Sequence, residues 1–525
     1  MRTGLEGIGA ALLLVPFLPY IAPDHIALYL HGLPVTNMLG GVLLDMLGVA
    51  LLASGFLLAI EYLPKAPERI LGTLFAGVML WRIADLAIQL SGMLQIEHFW
   101  QEHLRKQSCV AILLLSGTLA WILPRIAQPA VRTVRLGIAG LAFSALWIVP
   151  QLLYFALARP PAERTTALHP FTPAVNASSR RIVWILFDEL SYDQTFDRQV
   201  TGMKLPNFGR LRTESVSFSG LRPTGFHTAL IIPSLFLGRH IEHIRSTVAG
   251  DLWYKEEDRS RWLAFDPNAT LFGFAQRNGW STGVDGWYNP YCHILASVLS
   301  TCSWEPLPGL PMEPSGAAEQ KSALANAAIL PNALLEKLTS LRTAPADAHM
   351  GDIHIAEYRN VMARTHALIE NQQVSFVFLH LPVPHPPGIY DRQLHLLRPG
   401  GTYLDNLVLA DDTLGALLKE IDATPAASRT TVIVSSDHSW RTSLWRFFPG
   451  WSAEEERASG GRFDDRPVLL VHFPGQRSGM DVNSVLSVLL EHDMIAEMLR
   501  GKMNNSEDLA AFLASQGHSA QAEVH

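Results

Sequence analysis

Residues 181–190 read RIVWILFDEL, and this stretch decides the fold. Six apolar residues rich in β-branched and aromatic side chains follow Arg181, which is typical of a strand buried on both faces of a parallel sheet. The same form recurs in VSFVFLH (374–380), TTVIVSSD (430–437) and PVLLVHF (467–473). These four runs predict strands of one sheet.

Helical segments separate the predicted strands. YRNVMARTHALIENQ (358–372) precedes the second run, and LDNLVLADDTLGALLKEID (404–422), with apolar residues three and four apart, precedes the third. The alternation predicts an α/β sandwich over residues 181–525, with a mostly parallel central sheet and helices on both faces. Ligand sites in such folds lie at the carboxyl ends of strands, where acids follow the first and third runs.

The first third of the chain has a different character. Hydrophobic residues make up 48% of the sequence and charged residues 17%, and the apolar excess lies before residue 159. Five stretches there are long enough to cross about 30 Å of hydrocarbon: 5–22, 39–63, 70–94, 107–124 and 136–158. They predict a bundle of five transmembrane helices over residues 1–158. A segment rich in Pro, Ala, Ser and Thr, residues 159–180, is expected to be a linker.

The placement of Lys and Arg predicts orientation. Basic residues precede the first span and occupy the loops after the second and fourth, whereas only Arg105 and Lys106 argue for the opposite orientation. The N-terminus is therefore expected in the cytoplasm and residues after 159 on the periplasmic or equivalent side of an inner (plasma) membrane. The net charge of −7 does not indicate a nucleic-acid partner.

Two cysteines lie in the predicted extracytoplasmic part. Cys292 and Cys302 are close in sequence, and an oxidising compartment favours a disulfide between them. Two reduced, buried thiols are the alternative.

Two pairs of residues at strand ends suggest a metal site. Asp188 and Glu189 follow the first strand, where two buried carboxylates are costly unless a cation neutralises them; one acid capping a following turn is the alternative. Asp437 and His438 follow the third strand, and His with carboxylate suits a zinc-like divalent ion.

Two further segments carry candidate catalytic groups. In HTALIIPSLFLGRH (227–240), Thr228 lies where a loop enters a helix, near the positive end of the helix dipole. A metal that also binds the Thr228 hydroxyl would lower its pKa and make it a nucleophile. A plain Thr N-cap is the alternative, and Ser234 is a second candidate nucleophile. In HLPVPHPPGIYD (380–391), His385 can contact a phosphate or sulfate oxygen, or lie in a rigid turn without a role.

The order of these elements resembles the sulfatase-like, alkaline-phosphatase-like superfamily, and more closely its membrane-bound branch of phosphoethanolamine transferases and lipoteichoic-acid synthases. PNFGRLRTESVSFSG (206–220) resembles a further family segment. The resemblance implies that Asp188, with its neighbour Glu189, and the S-D-H motif ending at His438 bind metal. It also implies that Thr228 is the nucleophile of a T-A-x-x-x-P motif, and that His385 binds substrate.

The sequence also departs from the family pattern. The sulfatase signature C/S-x-P-x-R is absent around Pro233, which argues against a typical sulfatase. The Gly expected after S-D-H is Ser439, and Arg441 follows. Arg441 is predicted to contact an anion in bidentate fashion, or to be a surface residue.

These observations predict a membrane-anchored enzyme that transfers a phospho-substituent from or to a lipid or envelope glycan. A divalent metal, with Zn²⁺ preferred over Ca²⁺, Mg²⁺ or Mn²⁺, is the expected cofactor. The alternatives are a sulfate or phosphonate ester hydrolase of the same fold and a non-catalytic envelope protein. Arg82 and Asp85, inside the third span, form either an interhelical pair or part of a lipid headgroup path.

Overall fold

The computed structural model describes residues 2–15, 17, 36–89, 104–157, 165–167, 180–246, 251–257, 260–306, 322–327, 346–448 and 450–517. They form two compact units. The described residues of the first lie within 1–25, 34–159 and 309–343, and those of the second within 160–308 and 344–525.

The first unit is helical. Its longer helices are α1 (Arg2–Leu14), α2 (Thr36–Glu61), α3 (Lys65–Gln89), α4 (Arg105–Ile122), α5 (Pro124–Leu141) and α6 (Ala145–Leu157). A 3₁₀ turn, Ala142–Ser144, joins α5 to α6, and a one-turn helix lies at Ala323–Asn326.

Three stretches of these helices are long and apolar enough to cross a membrane: Leu39–Glu61, Lys65–Ile88 and Pro124–Tyr154. The apolar part of α4, Gln107–Ile122, is shorter, and α1 has 13 residues. Residues 16, 18–22, 90–94 and 158 of the predicted spans lie outside the described residues. Among the described residues, three of the five expected spans thus lie in helices that are long and apolar enough to cross a membrane.

The sequence predicted a loop between the fourth and fifth spans, and this prediction was wrong. Arg125, Arg132 and Arg135 lie inside α5. This helix is amphipathic: Ala127 and Val131 are buried, while Arg125 and Arg132 are exposed. The apolar stretch alone located only its second half, because a helix with one polar face interrupts a run of apolar residues.

The second unit is built on a nine-stranded sheet. Its strands are β1 (Thr165–Ala167), β2 (Arg181–Phe187), β3 (Val216–Phe218), β4 (Thr282–Tyr288), β5 (Thr301–Pro306), β6 (Phe376–Leu381), β7 (Thr430–Ser436), β8 (Leu469–His472) and β9 (Met480–Val482). The strand order is β1-β5-β4-β6-β2-β7-β8-β3-β9. Pairings from β5 through β7 are parallel, whereas β8 pairs antiparallel with β7 and β3.

Helices cover this sheet. The longer ones are α7 (Pro206–Thr213), α8 (Thr228–Leu237), α9 (Leu271–Arg277), α10 (Ala346–Glu370), α11 (Tyr403–Ala423), α12 (Ala453–Ser459), α13 (Leu490–Leu499) and α14 (Ser506–Ser515). One-turn helices lie at Tyr291–Ile294 and Thr442–Trp445, a π-helix at Asp193–Asp197, and 3₁₀ turns at Pro267–Ala269, Ala296–Val298 and Ala427–Arg429. Smaller sheets pair Gly388–Asp391 with Leu396–Gly401, Leu221–Arg222 with Leu486–Ser487, and Ile241–Ser246 with Leu252–Glu256 and Leu263–Ala264.

The central strands are buried on both faces, as their apolar composition predicts. In β2, Trp184 belongs to one core cluster together with α8, α9 and α13, while Ile185 belongs to a second cluster with α7, α10 and α11. Successive side chains of a strand point to opposite faces, so one apolar run supplies both cores. The result is the predicted α/β sandwich.

Part of the expected linker belongs to the sheet. Residues Thr165–Ala167 form β1, which pairs antiparallel with β5 at the sheet edge. Backbone hydrogen bonds to an edge strand need no apolar pattern, which is why the composition of 159–180 did not indicate a strand. The other expected linker residues, apart from Arg180, lie outside the described residues.

The two cysteines for which a disulfide was expected are bonded to each other. Cys292, in the one-turn helix Tyr291–Ile294, is bonded to Cys302 of β5, and their Cα atoms are 5.4 Å apart. Both cysteines are buried in the core cluster that contains Trp184.

Candidate active site

The register of the central strands brings two acids together. Phe187, the last residue of β2, is paired with Ser436, the last residue of β7. The next residues, Asp188 and Asp437, therefore leave the sheet side by side. The backbone N–H of Glu189 donates to Asp437 Oδ1 over 3.1 Å, which ties the two strand ends to each other.

His438 completes a compact cluster with these acids. One ligand atom each of Asp188, Asp437 and His438 lies within 4.8 Å of the others, and all three residues are buried. His438 Nδ1 is 3.0 Å from the Ser439 carbonyl, which assigns the proton to Nδ1 and leaves the Nε2 lone pair facing Asp437 Oδ2 at 3.2 Å. Burial and the charge of Arg441 lower the pKa of His438 to about 3, so the ring is neutral near pH 7.

The chemistry of this cluster fits a cation. Asp188 Oδ1 and Asp437 Oδ2 are buried and accept no hydrogen bond from the described residues. Burial, followed by the neighbouring Asp437, raises the pKa of Asp188 well above its usual value. Two buried carboxylate oxygens without donors are costly, and a divalent metal would satisfy both, with the neighbouring His438 Nε2 lone pair as a third ligand.

Thr228 faces the cluster from the start of α8. Its Oγ1 lies 3.3 Å from Asp188 Oδ2 and 3.2 Å from His438 Nε2. The N-cap residue is His227, so the Thr228 side chain does not serve as the cap. The first amides of a helix lack intrahelical acceptors and carry the positive end of its dipole, which favours an anion beside the Thr228 hydroxyl.

Ser234 does not reach this site. Its hydroxyl donates to Leu230 O over 2.7 Å and accepts from Ile241 N over 3.1 Å. The side chain is fully buried in α8 and stabilises the chain just after the helix.

Glu189 and Arg441 form a buried pair beside the cluster. Glu189 Oε1 accepts from Arg441 N (2.7 Å), Arg441 Nε (3.2 Å) and Trp445 Nε1 (2.6 Å), and Oε2 accepts from Arg441 Nη2 (3.0 Å). Glu189 has a left-handed backbone, with φ of 68°, which is uncommon for a residue other than glycine. Although one Glu189 oxygen also lies within 4.8 Å of ligand atoms of Asp188 and His385, the carboxylate is already engaged by these donors.

Arg441 also connects this pair to His385. Arg441 Nη2 is 3.0 Å from His385 Nε2, and Nη1 donates to Phe226 O over 3.3 Å. Burial, with the positive charge of Arg441, lowers the pKa of His385 well below 6.5. His385 is therefore a neutral acceptor of a guanidinium hydrogen bond, and the rings of Trp287 and Trp445 pack against it at 5.1 and 5.3 Å.

The loop that carries His385 is held by side chains from two helices. Asn406 of α11 donates through Nδ2 to the carbonyls of His385 (3.0 Å) and Pro387 (3.1 Å). His354 of α10 lies with Nε2 3.1 Å from the same His385 carbonyl, and its Nδ1 is 3.0 Å from Glu357. The proline-rich loop is thus fixed at the rim of the cluster.

Two residues at the cluster received no role from the sequence. His380 of β6 is fully buried, with Nε2 3.2 Å from Asp188 Oδ2 and Nδ1 2.6 Å from the Tyr291 hydroxyl. Tyr288, at the end of β4, has φ of 75°, and burial together with the charge of Asp188 raises its pKa to about 12. His380 was identifiable as a polar residue at a strand end, whereas no apolar run marked β4.

A family model described as Sulfatase matches residues 180–458. This chain belongs to the sulfatase family. The family is metal-dependent, and the buried cluster of Asp188, Asp437 and His438 lies within the matched residues. The sulfatase-family domain thus has the fold and a suitable metal site of a hydrolytic enzyme.

Solved structures of the alkaline-phosphatase superfamily are similar to this sulfatase-family chain. A phosphonate monoester hydrolase of Agrobacterium radiobacter is 14% identical over 61% of this chain and 74% of that one, with a TM-score of 0.38. The PsFucS1 sulfatase from Pseudoalteromonas sp. is 13% identical over 66% and 76%, with a TM-score of 0.38. The lipoteichoic acid synthase LtaP from Listeria monocytogenes is 11% identical over 60% and 73%, with a TM-score of 0.34. None of the curated proteins compared with this chain matches it.

Proposed function

We propose that this sulfatase-family protein is a membrane-anchored, metal-dependent phosphotransferase or hydrolase that acts through Thr228. The observation that carries the proposal is the position of the Thr228 hydroxyl, 3.3 Å from Asp188 and 3.2 Å from His438. A hydroxyl at a helix N-terminus beside an acceptor-only cluster is placed both to lose its proton and to receive a tetrahedral anion.

The reaction has two displacement steps. Thr228 Oγ1 gives its proton to Asp188 Oδ2 and attacks phosphorus, the bond from phosphorus to the leaving oxygen breaks, and the proton released by Asp188 goes to the departing oxygen, which leaves as an alcohol. An acceptor hydroxyl or water then attacks the phosphothreonine and regenerates the Thr228 hydroxyl. Asp188 Oδ2, 3.3 Å from Thr228 Oγ1, is the carboxylate oxygen placed to take the proton that Thr228 loses.

Asp188, Asp437 and His438 would hold the metal, and zinc is our first choice because of the His ligand. When bound, the metal supplies Lewis-acid stabilisation of the nucleophile and of developing charge. The cluster with Glu189 and Arg441 contains three carboxylates and one guanidinium, so its net charge of −2 matches one divalent ion. Glu189 in this proposal fixes Arg441, and His385 orients the guanidinium toward the substrate's anionic oxygens.

We further propose five membrane crossings, with the N-terminus in the cytoplasm and the sulfatase-family domain on the periplasmic or equivalent side of the inner membrane. Arg2 before the first span, with Lys65 and Arg69 after the second, supports this orientation, and the disulfide supports an oxidising compartment. A lipid donor or an envelope-glycan acceptor is the substrate that fits an enzyme anchored in this way.

The test compares variants of the full-length protein purified in detergent. Release of nitrophenol from bis(p-nitrophenyl) phosphate, p-nitrophenyl phosphate, p-nitrophenyl sulfate and p-nitrophenyl phenylphosphonate identifies the ester class. Thr228→Val keeps the side-chain shape without the hydroxyl and should lower kcat at least about a thousandfold, while Thr228→Ser retains activity.

Ser234→Ala is the matched control for the second candidate nucleophile, and it should stay active. Mass spectrometry of the peptide that contains Thr228 should detect a phosphate adduct during turnover. Full activity of Thr228→Val would refute the threonine mechanism, and faster release from the sulfate ester would redirect the proposal to sulfate ester hydrolysis.

A further inference from the structure

A second group of buried charges lies in the helical unit. Asp85 of α3 is completely buried and accepts from Arg105 Nε over 3.0 Å, from Arg105 Nη2 over 3.1 Å and from Arg82 Nη1. Arg82 Nε also donates to the Leu13 carbonyl at the end of α1 over 2.8 Å. We call Arg82, Asp85 and Arg105 the arginine cluster; it joins the ends of α1 and α3 to the start of α4.

The arginine cluster lies at a helix end rather than at the centre of a span. Asp85 is four residues before Gln89, the end of α3, which is about 6 Å along a helix, and Arg105 is the first residue of α4. Trp81 lies beside it, with Nε1 donating to Ser108 over 3.1 Å and the Arg105 guanidinium 5.9 Å from its ring. Trp and Arg side chains together are typical of headgroup depth in a bilayer.

The ratio of guanidinium to carboxylate groups distinguishes the arginine cluster from another charged cluster of the same unit. Glu6 is buried and accepts from Arg2 Nε (2.9 Å) and Arg135 Nη2 (2.6 Å), and Arg135 also lies 3.7 Å from Glu61. There, two guanidinium groups meet two carboxylates. Among the described residues of the arginine cluster, two guanidinium groups meet the single carboxylate of Asp85.

We propose that the arginine cluster binds the phosphate of an anionic phospholipid headgroup. The excess guanidinium charge matches a phosphodiester monoanion, and the planar N–H donors of Arg suit its oxygens. The side chain of Arg105 is 32% exposed, so it is accessible from the surface, whereas the buried Asp85 accepts from both guanidinium groups and competes with a ligand for them. Basic pockets between membrane helices bind lipid headgroups in this way.

This inference needs α3 to lie in a bilayer, but it does not depend on the reaction proposed for Thr228. The binding of lipid is measured separately from catalysis, so either proposal can fail while the other stands. A phospholipid, unlike a soluble phosphate ester, also contacts the exposed apolar side chains of the helices, such as Leu80 and Ile83 of α3. We therefore commit to the lipid as the ligand.

The experiment is native mass spectrometry of the full-length protein in detergent, titrated with phosphatidylglycerol, phosphatidylcholine or soluble glycerol phosphate. The wild type should retain one phosphatidylglycerol in preference to phosphatidylcholine. Arg105→Gln should weaken that binding about tenfold, because it removes one charge-assisted contact. Arg132→Gln, which removes an exposed arginine of the same unit, should leave it unchanged.

Asp85→Asn separates lipid binding from a purely structural role. Removal of the competing carboxylate should keep or strengthen phosphatidylglycerol binding, and added phosphatidylglycerol should then raise the Tm of this variant more than that of the wild type. If Asp85→Asn and Arg105→Gln lower binding equally, or if neither changes it, the proposal is overturned. Equal affinity for soluble glycerol phosphate would overturn the assignment to a lipid.

Discussion

The pair of Glu189 and Arg441 gives the sharpest prediction about how the site is built. Glu189→Gln keeps the shape of the side chain but leaves the guanidinium without its counter-charge, in a place where the Arg441 side chain is 7% exposed and the Glu189 side chain 0%. Breaking a buried ion pair from one side costs about 3–5 kcal/mol. At about 2 °C per kcal/mol for a large domain, Tm should fall by about 6–10 °C.

The assay is thermal unfolding of the full-length protein, followed by tryptophan fluorescence in the presence of a chelator so that metal loss does not contribute. Arg441→Met should destabilise by a similar amount, because it leaves a buried carboxylate alone. The double variant Glu189→Gln/Arg441→Met removes both charges, so it should be more stable than the sum of the two single losses predicts, by at least about 2 kcal/mol. If the losses of stability in the two single variants simply add in the double variant, Glu189 and Arg441 do not stabilise each other and the prediction is refuted.

The same variants decide between two roles for Glu189. If Glu189 fixes Arg441, Glu189→Gln should bind metal nearly as well as the wild type, whereas Asp437→Asn should not. A parallel loss of metal in both variants would restore Glu189 as a metal ligand, as the sequence led us to expect.

Three further predictions concern other buried groups. Burial raises the pKa of Asp285 from 3.8 to about 6 despite its contact with Arg364. Between pH 3.8 and pH 6 the folded state therefore keeps a proton on Asp285 that the unfolded state has lost, so the free energy of unfolding falls as the pH rises through this range. Between pH 4 and pH 8 the free energy of unfolding of Asp285→Asn should therefore rise relative to that of the wild type by up to about 3 kcal/mol. A difference in Tm that moves the other way would mean that the contact with Arg364 outweighs burial. His380→Gln should lower metal affinity about 10–100-fold, because it disturbs the hydrogen bond that orients Asp188; unchanged affinity in a metal titration would contradict this role. Replacing Cys292 and Cys302 with Ser should cost about 3 kcal/mol, since the closed loop is short, and an unchanged Tm would contradict that value.

The sequence predicted those parts of the structure that depend on local pattern. The apolar runs at 181, 374 and 430 located β2, β6 and β7, because strands buried on both faces need continuous apolar side chains. The runs marked the strand ends that carry Asp188 and Asp437, and the family resemblance implied that both bind metal. That β2 and β7 are neighbours in parallel register, which brings the two acids together, is seen only in the structure. The position of Thr228 at a helix start follows from the loop that precedes it.

Other features depend on contacts that no local pattern records. The pairing of Arg441 with Glu189 joins residues 252 positions apart, and Glu189 has a left-handed backbone that the sequence did not indicate. His380 ended the predicted strand 374–380 without a role, whereas it is the fifth residue of β6 and contacts Asp188, which follows the neighbouring strand β2. The amphipathic helix α5 was divided because Arg132 and Arg135 interrupted its apolar run.

The proposed mechanism requires a cation held between the ends of β2 and β7, and metal analysis tests it most directly. The full-length protein, purified without chelator, should contain about one tightly bound divalent metal ion per chain by elemental mass spectrometry. Asp437→Asn, which keeps the shape of the side chain, should lose that metal. A wild-type protein that binds no divalent metal, or an Asp437→Asn variant that binds it as tightly, would contradict the proposed site.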